Sequence, residues 1–179
     1  MDCETDVRVF WNAPEDMISF FHGGAVSMSM VPPGIQSLAG TPIANQLVMV
    51  VKVRDADGQV IGLLTEMEIF SDGDAFEVYS MLVLSGRGTI VTRQTKNRRT
   101  LMKPFERVFE SGEDWSGEMD VEMSCGPLPE GWGEIIAATD EFAGITGRHR
   151  QTMRFRKITA SGSEGTAEEL FRLSGGGAD

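Results

Sequence analysis

The segment from Arg148 to Ile158 carries side chains that are hard to explain as an ordinary core. Polar and apolar residues alternate along it, which predicts a β-strand whose successive side chains point to opposite faces. Its arginines fall on one face and favour water, so the other face turns inward. That inward face comprises His149, Gln151, Met153 and Phe155. A buried amide needs partners for its carbonyl oxygen and two donor hydrogens, so Gln151 indicates a ligand cavity; a bond to a neighbouring strand, or a place at a barrel mouth, is the alternative.

Two earlier segments supply similar side chains. Thr92 and Gln94 share a face with Ile90, opposite Arg93, which makes them inward polar groups. Tyr79 is the only tyrosine, and its phenol could bond a substrate carbonyl or serve as a structural tyrosine at a barrel rim. Eleven methionines are many for this length, and they suit either an adaptable lining for an apolar ligand or a repacked core. The candidates for activating a carbonyl group are Gln94, Gln151 and Tyr79, and the candidates for lining the cavity are Thr92, Met67, Met81, His149, Met153 and Phe155.

Paired carboxylates occur at Glu66 and Glu68 and in the row Glu118, Asp120 and Glu122. General acid–base catalysis requires a carboxyl group whose pKa has been shifted by its surroundings. A row of alternating carboxylates is more typical of the solvated face of a strand. We therefore expect both sets of carboxylates to face water.

Motifs for metals, phosphates and covalent catalysis are missing from the sequence. The two cysteines and two histidines lack the spacing of a zinc site, and the glycine-rich turns open no helix that could bind a phosphate. Neither a serine elbow nor a cysteine–histidine pair points to a nucleophile. We expect a protein without metal or cofactor.

Composition excludes several other classes. The 179 residues predict one domain, and 16 Lys and Arg against 27 Asp and Glu give a net charge of −11. Nucleic acids and anionic membranes are negatively charged and bind proteins with positively charged surfaces, so this acidic chain suits neither. The acidic start lacks the pattern of a signal peptide, and no apolar run approaches the ~20 residues of a membrane helix. We expect a reduced, cytoplasmic protein without nucleic-acid or membrane partners.

Residues 1–45 differ from the β pattern that follows them. Pro14, Glu15 and Asp16 favour the start of a short helix, which Gly23 would end. So short a helix has to dock on an apolar surface, either permanently or as a lid over a barrel mouth. The lid residues would be Trp11, Phe20, Phe21 and His22.

Residues 46–173 predict an all-β domain. Strand patterns separated by short turns follow one another, which favours an up-and-down antiparallel barrel. Residues 96–130 interrupt the pattern, with Leu101 to Phe109 readable as helix or strand, and are expected to form a cap or an interface. A homodimer is left open, and residues 174–179 are expected to be a loose tail.

Three turns resemble those of allene oxide cyclase and dirigent-type barrels. Glu141–Gly147 resembles their "G-x-F-x-G-x-x-G" turn, Gly86–Val91 their "G-x-G-x-I" turn, and Gly58–Gly62 their early hairpin. The bacterial branch, the spirotetronate and spirotetramate cyclases of polyketide pathways, has a "G-L-T-G" turn that is similar to Gly144–Gly147. That branch can carry an inward tryptophan where this chain has Gln151.

The resemblance implies a barrel of about eight strands around an apolar lumen, without metal or redox cofactor. It also implies a Diels–Alderase of natural-product and antibiotic biosynthesis, which joins a diene to an exocyclic alkene of a linear polyketide-type substrate in an intramolecular (4+2) cycloaddition. Pre-ordering the reacting ends supplies up to roughly 7–11 kcal/mol, and Gln94, Gln151 or Tyr79 would polarise the carbonyl. The alternatives are a non-catalytic barrel that binds a small molecule, and an isomerase or hydrolase that uses the carboxylate of Glu66 or Glu134.

Overall fold

The computed structural model describes residues 4–22, 46–71 and 73–175, without the side chains of residues 19–22, 46 and 101. The stop predicted at Gly23 and most of the predicted tail lie outside these residues. The strands are β1 Thr5–Ala13, β2 Met17–His22, β3 Gln46–Arg54, β4 Val60–Ile69, β5 Ala75–Leu84, β6 Gly88–Asn97, β7 Trp115–Glu122, β8 Ser124–Gly126, β9 Gly133–Ala138, β10 Thr146–Thr159 and β11 Gly162–Ser174. One α-helix of the described chain, α1, spans Arg98–Ser111.

Antiparallel pairing closes these strands into an eight-stranded barrel. Hydrogen bonds join them in the order β1-β11-β10-β9-β6-β5-β4-β3, and the pairing of Phe10 with Arg54 returns from β1 to β3. Because β1 and β2 are both antiparallel to β3, they run in the same direction and act as one interrupted strand. Closure removes the free sheet edges that would otherwise need protection. The predicted all-β barrel is confirmed.

Alternate residues of each strand build the interior of the barrel. On β5 the inward set is nearly inaccessible to solvent and the outward set is partly exposed. The inward residues are Phe76, Val78, Ser80, Leu82 and Leu84. The same period of two fixes which side chains of the neighbouring strands meet inside.

Three short strands, instead of one long one, fill the wall between β6 and β10. β9 pairs with β6 over Ile90–Arg93 and with β10 at Arg148 and His149. Further along, β8 pairs with β6 at Thr95 and Lys96, while β7 pairs with β10. Part of the 96–130 segment therefore belongs to the barrel wall.

The helix α1 packs against the barrel beside β10. Asn97 caps its start by accepting a hydrogen bond from the backbone N–H of Thr100, and Gly112 ends it with a φ of 71°. The buried ring of Phe105 meets the ring of Phe155 edge-on, with centroids 5.5 Å apart. Within the described ranges, no helix has the length and apolarity needed to cross a membrane.

The predicted N-terminal helix is wrong, because strands β1 and β2 occupy that part of the chain. Val9 and Trp11 are buried on alternate positions of β1, so the pattern has a period of two, and Trp11 is a wall residue rather than part of a lid. The barrel accordingly begins at Thr5 and not at residue 46. The other three predicted lid residues are Phe20, Phe21 and His22, and their side chains lie outside the described set. Their backbone belongs to β2, which pairs with β3 in the barrel wall and is not a lid.

Asp16 holds the turn between β1 and β2. Its side chain is fully buried, accepts hydrogen bonds from the backbone and side-chain nitrogens of Asn12 at 2.9 and 3.1 Å, and pairs with the guanidinium of Arg54 at 2.6 Å. Burial acts to raise the pKa of Asp16, but the hydrogen bonds from Arg54 and Asn12 outweigh it and lower the pKa to about 2. Proline at 14 and acidic residues after it therefore mark a turn here, not a helix start.

We expect Asp16→Asn to lower the free energy of unfolding by about 2 kcal/mol, since it weakens charged hydrogen bonds in a buried turn. Because the folded-state pKa is depressed, this contribution is present above the unfolded value near 3.8 and is lost as pH falls through about 2. Urea unfolding of both proteins at neutral pH measures the difference. The matched control is Glu15→Gln, which changes an exposed neighbour 3.7 Å from Arg54 and should cost far less. Equal losses in the two variants would contradict the role given to Asp16.

Candidate functional site

Ten polar or charged side chains lie buried in the barrel, each at most 4% exposed. We call this set the polar cluster. Its members are Glu66, Glu68, Ser80, Thr92, Gln94, Lys96, Ser124, His149, Gln151 and Glu169. Apolar side chains such as Leu64, Leu82 and Phe171 surround it, so an apolar interior contains one polar zone.

Strand register brings the members of the polar cluster together. Glu66 of β4 lies opposite Ser80 of β5, and Ser80 lies opposite Thr92 of β6. Across the barrel, Gln151 of β10 lies opposite Glu169 of β11. Each is an inward position of its strand, so alternation and register alone are enough to gather them.

Lys96 forms the cationic end of the polar cluster. Its ammonium group contacts Glu66 Oε1 and donates to Glu68 Oε1 at 2.9 Å. Burial acts to lower the pKa of Lys96, but attraction from the two carboxylates outweighs it and raises that pKa. The lysine is therefore held charged in the interior.

Glu169 forms the anionic end. Its carboxylate accepts from the indole N–H of Trp11 at 3.0 Å and from the Gln151 amide at 2.6 Å, and it contacts His149 Nε2 at 2.8 Å. Burial acts to raise the pKa of Glu169, but the hydrogen bond from His149 and the charges around it lower the pKa overall. An ionised carboxylate at this position explains why three donors converge on it.

Gln151 and Ser124 join the two ends. The Gln151 amide also donates to Glu66 Oε2 at 3.2 Å, so it touches both carboxyl groups. The Ser124 hydroxyl donates to Gln94 Oε1 at 2.6 Å and accepts from the Gln151 backbone N–H at 2.9 Å. The short strand β8 thus connects the Gln94 side chain to the backbone of Gln151 through one serine.

Glu66 has the shifted carboxyl group that acid–base chemistry requires. Burial, together with the neighbouring Glu68 and against the pull of Lys96, raises its pKa to about 8. At neutral pH the protonated form of Glu66 is therefore a large fraction, and that form can donate a hydrogen bond or a proton.

Several buried polar atoms of the cluster make no hydrogen bond. They are Glu68 Oε2, Ser80 Oγ, Thr92 Oγ1, Gln94 Nε2, His149 Nδ1 and Gln151 Oε1. Leaving such a group unpaired costs about 1–3 kcal/mol, so native proteins rarely leave several together. A bound molecule with a carbonyl or hydroxyl group would pair with these atoms.

We expect the stability of the protein to fall as pH rises from about 4.5 to about 8, because the folded state holds a proton on Glu66 that the unfolded state releases. Glu66→Gln removes this titration and should flatten that part of the curve. Urea unfolding across this range measures both proteins, and the exposed Glu118→Gln is the control that should keep the slope. A slope unchanged in Glu66→Gln would refute the buried, protonated carboxyl.

The structure places most of the predicted site residues inside the barrel. Thr92, Gln94, His149 and Gln151 belong to the polar cluster, and Met153 and Phe155 are buried further along β10. Their roles toward a substrate stay predictions.

Three predicted site residues lie outside the lumen. Met67 and Met81 are 37% and 40% exposed on the outer faces of β4 and β5. Tyr79 is on that outer face of β5 too, where its hydroxyl donates to Glu77 Oε2 at 3.3 Å. Both faces of β5 are rich in apolar residues, so the sequence did not indicate which face was inward.

The expectation that Glu66 and Glu68 face water is wrong, because Lys96 from β6 pairs with both inside the barrel. Sequence reasoning also missed Lys96, Ser124 and Glu169. The signal for Lys96 was available, since it continues the inward series of Thr92 and Gln94 by two residues. Glu134, by contrast, lies on the outer side, 3.4 Å from Arg93.

A metal centre or a cleft could also hold a ligand. In the part of the chain that the structure describes, no three His, Cys, Asp or Glu side chains are arranged to hold a metal ion. An open cleft of about 440 Å³ lies between α1 and β7 and is lined by Lys103, Arg107, Trp115 and Met119 among others. It holds none of the buried groups of the polar cluster.

Comparison with known proteins identifies the fold. No family model matches the sequence, and neither does any curated protein. Among solved structures, the pterocarpan synthase dirigent protein PsPTS1 superposes with a TM-score of 0.50 at 11% identity, over 98% of this chain and 97% of its own. The pterocarpan synthase dirigent protein GePTS1 gives 0.50 at 12% identity, over 99% and 88%. The chain therefore has the eight-stranded barrel fold of dirigent proteins.

Proposed function

We propose that this protein is a cofactor-independent cyclase that binds a linear, largely apolar, polyketide-type molecule inside the barrel and closes its ring. The observation that carries the proposal is the polar cluster, with its unpaired buried atoms, inside an otherwise apolar interior. Such a site suits a substrate with a long apolar skeleton and one carbonyl-bearing end. Two solved structures with this fold are named pterocarpan synthase dirigent proteins, which agrees with a reaction inside a barrel.

The ring closure we propose is an intramolecular (4+2) cycloaddition between a diene and an alkene conjugated to the carbonyl. Two carbon–carbon bonds form, the π electrons rearrange, and no atom enters or leaves. The enzyme needs only to fold the chain and to polarise the carbonyl, and folding alone can supply up to roughly 7–11 kcal/mol.

Gln94 is the best placed donor for that carbonyl. Its Oε1 is held by Ser124, which fixes the amide, while its Nε2 is buried and makes no hydrogen bond. A donor that is fixed in advance stabilises the charge that develops on the oxygen in the transition state. Protonated Glu66 is a second donor, and Gln151 instead holds Glu66 and Glu169 in place.

The shifted pKa of Glu66 favours a second candidate, an isomerase or cyclase that works by proton transfer. There the Glu66 carboxyl would give up or take a proton during each turnover. Glu66→Gln separates the candidates, because glutamine can still donate a hydrogen bond but cannot transfer a proton.

The experiment is incubation of the purified protein with linear acyl-tetronate or acyl-tetramate precursors that carry a diene and an exocyclic alkene. We expect a product of unchanged mass with a new ring by NMR, and a Glu66→Gln variant within about tenfold of the unmodified rate. Loss of 100-fold or more in that variant would favour proton transfer, which contributes about 10²–10⁴-fold. If the precursors bind but are not converted, the protein is a non-catalytic barrel that binds small molecules, and the cyclase proposal is wrong.

A further inference from the structure

His149 is held by one ring nitrogen while the other is free. Its Nε2 lies 2.8 Å from Glu169 Oε2, and its ring stacks on Phe171 with centroids 4.5 Å apart. The ring is completely buried, and Nδ1 makes no hydrogen bond. Contacts on one edge and one face therefore fix the ring and leave Nδ1 as an unpartnered polar atom.

The partners of Glu169 determine the tautomer of His149. The indole N–H of Trp11 and Nε2 of Gln151 can only donate, and both donate to Glu169 Oε1. The lowered pKa of Glu169 leaves Oε2, the oxygen that faces His149, without a proton as well. An ionised carboxylate has no proton to give, so the contact with His149 requires a proton on Nε2. In the neutral ring, Nδ1 is then the bare nitrogen with a lone pair.

We propose that His149 is a general base, oriented by Glu169, which takes a proton from a carbon atom next to the carbonyl group of the bound substrate. This inference rests on the proposed function to the extent that the same carbonyl-bearing molecule occupies the barrel. It narrows the substrate class to carbon acids, such as ketones and 1,3-dicarbonyl compounds. A carboxylate–imidazole pair with one free nitrogen is the arrangement in which a base is oriented and its cation stabilised.

The proton transfer needs no reactant other than the substrate and His149. The C–H bond breaks, its proton goes to Nδ1, and its electron pair moves to the carbonyl oxygen as an enolate. Glu169 stabilises the imidazolium, and the unpaired Gln94 Nε2 supplies a donor for the enolate oxygen. The proton then returns from Nδ1 to carbon, so the molecule is regenerated or isomerised with no change in mass.

Position in the barrel agrees with these roles. His149 and Gln151 are successive inward residues of β10, and Ser124 links Gln151 to Gln94. The base, the amide that bridges the carboxyl groups and the free donor therefore belong to one connected set of contacts.

The test has two readouts, and neither needs the natural substrate. The first is the ¹⁵N NMR spectrum of the two histidines, with His22→Gln used for assignment. We expect the neutral ring of His149 to carry its proton on Nε2 and to leave Nδ1 bare. A neutral ring with its proton on Nδ1 would overturn the inference.

The second readout is exchange of the α-hydrogens of benzylacetone, an apolar ketone, for deuterium in D₂O, followed by ¹H NMR. We expect the unmodified protein to accelerate exchange at least tenfold more than His149→Gln, whose amide can still donate to Glu169 but has no basic nitrogen. Thermal unfolding of the variant checks that the fold is kept, and Arg154→Gln on the outer face of β10 is the control with unchanged exchange.

Exchange in His149→Gln as fast as in the unmodified protein would overturn the inference. Cyclisation is measured separately. If the protein cyclises its precursors but shows no exchange that depends on His149, the proposed role of His149 is wrong and the cyclase proposal stands. If it shows that exchange but cyclises no precursor, the cyclase proposal is wrong and the role of His149 stands.

Discussion

Lys96→Met is expected to lower the free energy of unfolding by about 3–5 kcal/mol, because it leaves two buried carboxyl groups without their counter-charge. Methionine fills a similar volume, so the loss comes from electrostatics and not from a cavity. Glu66 can then be accommodated only in its protonated form, because the attraction of Lys96 that lowered its pKa is gone. Stability from a raised carboxyl pKa is present below the unfolded value and lost as pH rises, so the deficit should be larger at about pH 8 than at about pH 5.

Urea unfolding at the two pH values measures this deficit, and two controls isolate its cause. Lys103→Met removes an exposed lysine from α1 and should change stability by less than about 0.5 kcal/mol. The triple variant Lys96→Met, Glu66→Leu, Glu68→Leu removes the whole charged set and should recover much of the loss, since an apolar replacement of a buried ion pair is often neutral. A triple variant as unstable as the single one would show that packing around Lys96, not charge, is the cause.

Gln94→Met is expected to reduce turnover of a cyclising precursor about 100-fold, the usual effect of removing one fixed donor to a developing oxyanion. The difficulty is that Gln94 also bonds Ser124, so the variant changes the structure as well as the donor. Ser124→Ala breaks the same hydrogen bond and leaves the Gln94 amide in place. We therefore expect Ser124→Ala to lose less than about tenfold.

The comparison of the two kcat values decides what Gln94 does. If both variants lose the same activity, then Gln94 acts through its bond to Ser124 and is a positioning residue. If only Gln94→Met loses activity, then its free Nε2 contacts the substrate. Unchanged turnover in Gln94→Met would remove it from the site.

The late strand could be predicted correctly from sequence because its two faces differ strongly. The arginines on one face of Arg148–Ile158 favour solvent, so the opposite face had to point inward. The structure buries His149 and Gln151 on that face. On β6, the series of Thr92 and Gln94 was fixed in the same way by Arg93 on the opposite face. Strong contrast between faces is what makes a strand's orientation readable.

Orientation could not be predicted where both faces are similar or where the deciding partner is distant. β5 has apolar residues on both faces, so the sequence did not decide which way Tyr79 points, and the structure places it on the outer face. Burial of Glu66 depends on Lys96, 30 residues away, which no local pattern of β4 reveals. At the N-terminus, Pro14 and Asp16 suit a helix start and a turn between strands equally well, and only the pairing partners of β1 and β2 decide between them.

A reaction that takes place at the polar cluster leaves its product beside Gln94 and Gln151 inside the barrel. The most direct measurement is an NMR spectrum of the protein with its cyclised product bound, read at the side-chain amides of Gln94 and Gln151. We expect nuclear Overhauser contacts between ring hydrogens of the product and the Gln94 amide hydrogens, together with shifted Gln151 signals. Contacts instead to Trp115 and Met119 of the cleft between α1 and β7, with both interior amides unperturbed, would show that the product binds away from the polar cluster.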